Sequence, residues 1–466
     1  MDMIQTAVLK GLRGLEEHLP PEKNTISAYL PYRNKGADFD FDYVTGSLVG
    51  VAYGRKLPPK FEIEKLRENS LSAIESKAAS NQLTECINEI YFSDGSKNLK
   101  QLSPLFKLLH TGKGRNEVSP GSRHLEVIFG RFLDLGQIDN WEKQNYNIFE
   151  GIIVNQFGDQ LKPRVSRTDS KTAEAEAYLP FIADLFAEDF KFLLDHPAYF
   201  VEQVRHFLSL YSFLYCSQMA LNIKDWEQGK PIAKPLYFVL DTEKCSTERK
   251  AASSYRNLVR SVADVFPTLS MLEVLNERIE DAGGIALPIW RIVEILDSAT
   301  QDELNSVGKA IDTYTERFAG ATKPGRNLKP RGDINTTELQ GKLQLLFKYA
   351  IDQFDPQRLH ERDTRHQMKE KYKAPFEKEV AQHFTQARGR LGKILVMNQD
   401  YLLLLTNLAI RGRESVRLQE VLAEFARRGI NFDKQSESKL ITFFERIGNI
   451  ERMSDSGDAV YVRATV

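Results

Sequence analysis

Apolar positions repeat at helical spacing over most of this chain. Near the amino terminus Ile4, Val8, Leu12 and Leu15 fall on one face of a helix, without the uninterrupted apolar run of a signal peptide. Residues 61–78 continue the pattern, and so do 178–194, 199–221, 251–281, 288–296, 301–318 and 338–354. Two segments break it. Strict alternation in DFDFDY at 38–43 predicts a strand. The apolar run PLYFVLD at 235–241 predicts a buried strand that passes through the polar turn EKCSTERK into a helix. Stretches 158–172 and 320–336 are rich in Lys, Arg, Ser, Thr, Gly and Pro and carry no period, which marks them as linkers or long loops. The organisation expected is a mixed α/β region over 1–165, a helical middle domain over 166–325, a basic helical connector over 326–395 and a separate module over 396–466. The fold class is mainly α with small β elements, a multidomain helical body with a distinct carboxyl-terminal module.

That last module has the clearest pattern. A first helix over 399–410 places Tyr401, Leu402, Leu404, Leu405 and Leu408 together, and Gly412 follows it between Arg411 and Arg413. A short extended piece at Ser415 and Val416 leads to a second helix with Leu418, Val421, Leu422 and Phe425 on one face. Asn431, Asp433 and Ser436 offer capping oxygens to a third helix with Leu440, Phe443, Phe444 and Ile447 inward, ended by Gly448. IERM, SDSGD and AVYVR then read as two strands around a tight turn. Three helices, a brief strand and a hairpin in this order predict a winged helix-turn-helix.

The outward side of the third helix and its hairpin would present Lys434, Gln435, Ser438, Lys439, Thr442, Arg446, Arg452 and Arg463, groups suited to phosphate contacts. From Asn398 onward ten basic residues face ten acidic ones, too even a balance for a strong sequence-specific reader. The whole chain is similarly neutral, 63 Lys plus Arg against 64 Asp plus Glu, so any nucleic-acid surface is local. The most basic long segment runs over 358–393, with Arg358, Arg362, Arg365, Lys369, Lys371, Lys373, Lys378, Arg388, Arg390 and Lys393. Tyr372, Phe376 and Phe384 lie among them and would suit stacking on a single strand, although a solvated helix face is the commoner cause of such a run. At 466 residues with 42% hydrophobic content the chain can build several cores. Three widely spaced cysteines, Cys86, Cys216 and Cys245, supply neither a disulfide framework nor a C-x-x-C site and fit a reducing cytoplasm. Its most apolar runs, 207–216 and 401–410, are about half of a bilayer span of ~20 residues, so no membrane is expected as partner.

Catalytic patterns are incomplete. GKGR at 112–115 lacks the spacing of a Walker loop and reads as a solvated turn. Asp241, Glu243 and Lys244 miss the acid-x-lysine spacing of restriction-type nucleases by one position, and a strand end paired with an arginine is the simpler reading. The eight histidines form no metal motif, and Ser454, Ser456 and Asp458 are explained by the hairpin turn. No cofactor or metal is expected from these residues.

YLLLLTNLAI at 401–410, RRGINFD at 427–433 and SDSGDAVYV at 454–462 resemble the DptG family, and the likeness runs from Gly389 onward. That family accompanies bacterial DNA phosphorothioate modification. The resemblance implies a restriction complex with DptF and DptH as the nucleotide-using members, in which unmodified DNA is attacked, and it carries no catalytic residue over. The expected function is thus a non-catalytic subunit that joins partner proteins through its helical body and touches double-stranded DNA. Two other classes stay open: a metal-dependent nuclease using Asp38, Asp40 and Asp42 or Asp241 and Glu243, and a winged-helix transcriptional regulator, which would need a symmetric dimer.

Overall fold

A computed structural model describes residues 3–23, 27–32, 38–78, 81–138, 146–167, 174–246, 249–321, 326–329, 332–452 and 460–466. Parts of both expected linkers, and SDSGD at 454–458 with Ser454, Ser456 and Asp458, lie outside them. Among the described residues the chain is mainly helical with small sheets. Helices occupy Met3–Arg13, Pro180–Leu194, Pro197–Asn222, Lys250–Asp281, Ile289–Asp297, Gln301–Gly320 and Leu339–Asp352, within a few residues of the apolar periodicity that predicts them.

One stretch departs from its pattern. DFDFDY does not form a strand: Phe41–Ala52 is a helix, and the Asp40 carboxylate accepts from Tyr43 N at 3.1 Å as its N-cap. The alternation is only six residues long and borders the run VTGSLVGVA, whose Val44, Leu48, Val49, Val51 and Ala52 are buried on all sides. An aspartate before such a run starts a helix more readily than it continues a strand.

One large core dominates, with a second small cluster of Val239, Ala251, Ile394 and Val396 at the sheet. The large one includes buried apolar side chains from Val8 to Val462. The first helix packs on Lys250–Asp281, far along the chain, and on Gln301–Gly320. The approach is close enough that a Cβ at Gly11 would lie 2.6 Å from the Arg278 carbonyl oxygen. Among the described residues no helix is long and apolar enough to cross a membrane.

A four-stranded sheet organises the carboxyl half in the order Thr385–Ala387, Lys393–Met397, Leu236–Leu240, Ile430–Phe432. Its first pair is antiparallel and the other two are parallel. After Lys393–Met397 come the helix Gln399–Ile410, the strand Ser415–Arg417, the helix Leu418–Arg427, then Ile430–Phe432 and the helix Lys434–Ile447. Strands Ile450–Arg452 and Val460–Arg463 close the chain. They form an antiparallel sheet with Ser415–Arg417, in which Val460–Arg463 is central. Local signals set these bounds: Asp433 caps the last helix at Ser436 N, and Gly448 ends it with φ +76°.

This carboxyl-terminal unit is joined to the body by backbone as well as side chains. Ile430–Phe432 pairs Leu236, Tyr237 and Phe238 of the body strand, and Leu236 N donates to Gly429 O at 2.8 Å. Arg428, fully buried at the end of Leu418–Arg427, forks onto Asp189 of Pro180–Leu194 with contacts of 2.7, 2.8 and 3.1 Å. Asp189 also accepts from Tyr211 Oη at 2.5 Å and Arg411 Nε at 3.0 Å. Burial alone would lower the guanidinium pKa of Arg428, but the Asp189 charge outweighs it and holds it above its ordinary value.

Candidate functional site

Leu236–Leu240 and Lys393–Met397 run parallel and end side by side, with Leu240 opposite Met397 and Asp241 N donating to Met397 O at 3.2 Å. The carboxyl ends of parallel strands are where open α/β sheets hold their ligands, because the chain turns away there and leaves a crevice. In this protein the crevice has a second wall. Lys434–Ile447 follows the strand on the other side of Leu236–Leu240 and lies against the same strand end. Between them is a cleft of about 660 Å³.

The sheet side of the cleft consists of Leu240 to Lys244 with Met397, Gln399 and Leu402. The helix side presents Gln435, Ser438, Lys439, Thr442, Phe443 and Arg446. Leu240, Met397, Leu402 and Phe443 are buried and give an apolar floor, whereas Lys244, Lys439 and Arg446 are exposed cations at its rim. Ser438 and Thr442 donate their hydroxyl protons to the carbonyls of Lys434 and Ser438, at 3.1 and 3.2 Å, which leaves their oxygens as acceptors.

An arginine locks the two walls together. Arg249, at the start of Lys250–Asp281, donates to Glu243 Oε1 at 2.5 Å and to Asp433 Oδ1 and Oδ2 at 2.5 and 2.8 Å. It also donates to Ser436 Oγ at 2.7 Å, and Ser436 in turn donates to Glu243 Oε2 at 2.9 Å. The hydrogen bond to Asp433 raises the Arg249 pKa, and the same contact holds the Asp433 carboxyl below its ordinary value. Glu243 is buried and committed to this clamp, so of the acids 241 and 243 only Asp241 faces the cleft with its carboxylate outside the network. The strand-end pairing with an arginine is therefore the arrangement found here.

The eight residues selected from sequence divide into two groups. Gln435, Ser438, Lys439, Thr442 and Arg446 are exposed and share one wall of the cleft. Lys434 is exposed at the helix start, and Arg463 is exposed on the last strand, paired with Glu451 at 2.8 Å. Arg452 ends the strand Ile450–Arg452, and its side chain lies outside the described set. On the sheet side, Met397 and Gln399 carry no signal in the sequence beyond a short apolar run, and Leu402 reads there only as a core position of the helix over 399–410.

The other candidates are absorbed by structure. Tyr372, Phe376 and Phe384 are buried, with Tyr372 stacked on Phe266 at 4.2 Å and Phe384 on Phe213 at 4.5 Å, so they cannot stack on bases. Several cations of 358–393 are paired: Lys369 with Asp264, Lys393 with Glu377, Lys373 with Glu370 and Arg365 with Asp363. Arg388 donates to the Asp241 carbonyl. Asp40 pairs with Lys113 of the GKGR turn, and Asp42 pairs with Arg205. Among the described residues no three His, Cys, Asp or Glu side chains are grouped so as to hold a metal ion. No protein-family model matches this chain, and no curated protein is similar to it in sequence.

Proposed function

We propose that this protein is a non-catalytic subunit of a DNA phosphorothioation-dependent restriction complex, joining DptF- and DptH-type partners through its helical body and touching double-stranded DNA through a carboxyl-terminal winged helix-turn-helix. The observation that carries the module's part of this reading is the sheet in which Val460–Arg463 lies between Ser415–Arg417 and Ile450–Arg452. With three helices interleaved in chain order, that pairing is what a winged helix requires. The restriction context rests on the resemblance of 401–410, 427–433 and 454–462.

The geometry favours phosphate contact over base reading. A helix that reads the major groove must enter a channel roughly 12 Å wide with free space on both flanks. Here the outer face of Lys434–Ile447 is one wall of a cleft, and the strand ends stand opposite it. Lys434 and Arg463 remain exposed outside the cleft lining and are the groups assigned to duplex phosphates.

Fluorescence anisotropy of the whole chain with a labelled duplex tests the DNA contact. Two phosphate contacts imply roughly a 12-fold loss of affinity between 50 and 200 mM salt. Lys434→Glu with Arg463→Glu should weaken binding further at every salt concentration. Absence of duplex binding at 50 mM salt would leave only the assembly role. That role is tested by co-purification of tagged protein with DptF- and DptH-type proteins, and failure of both to associate would remove it.

A further inference from the structure

The cleft at the carboxyl edge of the sheet has the size and lining of a ligand site, which duplex contact through the module's outer surface does not use. Its 660 Å³ falls in the roughly 300–1,000 Å³ range of small-molecule pockets and is far too small for a double helix. Lys439, Thr442 and Arg446 sit on one helix face at intervals of three and four, so two cations flank a hydroxyl acceptor along a single line. Between the walls the floor is apolar, with Leu240 and Phe443 its least buried apolar side chains at 7% and 6% exposure; the Asp241 carboxylate faces the same space, and Gln399 on the sheet side and Gln435 on the helix side carry amides able to donate and accept. Cations in a row, an apolar floor and amides beside it match the three parts of a nucleotide: phosphate, flat base and the polar edge of that base. Every base has a face that can pack on such a floor, and an unpaired base leaves its edge free for the amides.

We propose that this cleft binds a nucleotide unit of unpaired DNA, its phosphate held by Lys439 and Arg446 and its base packed toward the apolar floor at Leu240 and Phe443. The inference deepens the reading of the module as a DNA contact and rests on it. Duplex would be held outside the cleft, while an unpaired or extruded nucleotide enters between the helix and the strand ends. The Arg249 clamp, tying Glu243 to Asp433 and Ser436, keeps the two walls at a fixed separation.

The test uses the whole chain and three probes: labelled twelve-residue oligothymidylate, a labelled duplex of the same length, and thymidine monophosphate as competitor. Thr442 is exposed on the cleft wall, so Thr442→Trp fills the space from a position the core does not need. An unchanged thermal midpoint would verify folding. Single-strand affinity should fall at least tenfold in Thr442→Trp and in Lys439→Glu with Arg446→Glu. Competition by the monophosphate would assign recognition to the unit itself, and binding of the strand alone would assign it to a unit within a chain. Single-strand binding unchanged within twofold in both variants, or its absence at 50 mM salt, overturns the proposal. Duplex binding is read separately through Lys434→Glu with Arg463→Glu, so loss of either reading leaves the other measurable.

Discussion

Replacing Asp189 by asparagine should loosen the carboxyl-terminal unit from the body more than any other single isosteric change at this junction. Asp189 is fully buried and is the shared acceptor for Arg428, Arg411 and Tyr211. The substitution keeps the shape and removes the negative charge, so the fully buried Arg428 guanidinium loses its counter-charge. Glu424 still contacts it, at 3.2 Å, from the partly exposed side. Breaking one partner of a buried pair costs about 3–5 kcal/mol. With an unfolding entropy of ~2.1 cal/mol/K per residue, a cooperative unit of this length would melt about 3–5 °C lower. Removal of the other partner is not equivalent. Arg428→Met leaves Asp189 with Arg411 and Tyr211, so its cost should be smaller by at least about 1 kcal/mol. Urea unfolding of the three proteins gives the energies, and hydrogen exchange at Ile430–Phe432 and Leu236–Leu240 shows where protection is lost. Equal losses in the two variants, or a larger loss in Arg428→Met, would refute the view that Asp189 is the common counter-ion.

Gly429 has φ +80°, and a Cβ there would lie 2.1 Å from Gln218 Nε2 and 2.8 Å from the Lys234 carbonyl oxygen, so Gly429→Ala should cost more than about 2 kcal/mol and speed exchange in Ile430–Phe432. Wild-type exchange rates in that strand would contradict the close approach. Burial raises the Glu273 carboxyl to about 7. Its folded value lies above the unfolded one, so the native state binds more protons between about pH 4.5 and 7 and loses stability as pH rises through that window. Glu273→Gln should therefore be more stable than wild type at pH 8, by up to about 3 kcal/mol, with the difference vanishing near pH 4; a difference independent of pH would count against it. Arg249→Lys keeps the charge but loses the fork that reaches Glu243, Asp433 and Ser436 together, and a loss of about 2–3 kcal/mol in urea unfolding is expected, whereas a loss under 0.5 kcal/mol would show that the clamp is not needed.

Local chemistry made much of this protein legible before any contact was known. The spacing of Leu440, Phe443, Phe444 and Ile447, with Asp433 before them and Gly448 after, specifies the last helix from interactions within about one turn of each end. The outward positions Lys434, Gln435, Ser438, Lys439, Thr442 and Arg446 follow from the same period, and the strands Ile450–Arg452 and Val460–Arg463 from short apolar runs on either side of a turn signal. DFDFDY shows the limit of that method, because six alternating residues carry less information than the apolar run they adjoin. What the outward face looks onto depended on pairing across distance. The strand INF at 430–432 is too short to stand out, and it is fixed by hydrogen bonds to Leu236–Leu240, almost two hundred residues earlier. Separations of 184 and 239 residues likewise part Arg249 from Asp433 and Asp189 from Arg428. Charges and aromatic rings have no sequence period that reports their partners, so burial of Tyr372, Phe376 and Phe384 and commitment of Glu243 were decided only when the chain folded. The sequence determined the helices, their caps and their exposed faces through short-range forces. Tertiary packing alone decided that one of those faces would become the wall of a cleft, because a cleft requires two surfaces and the second came from another part of the chain.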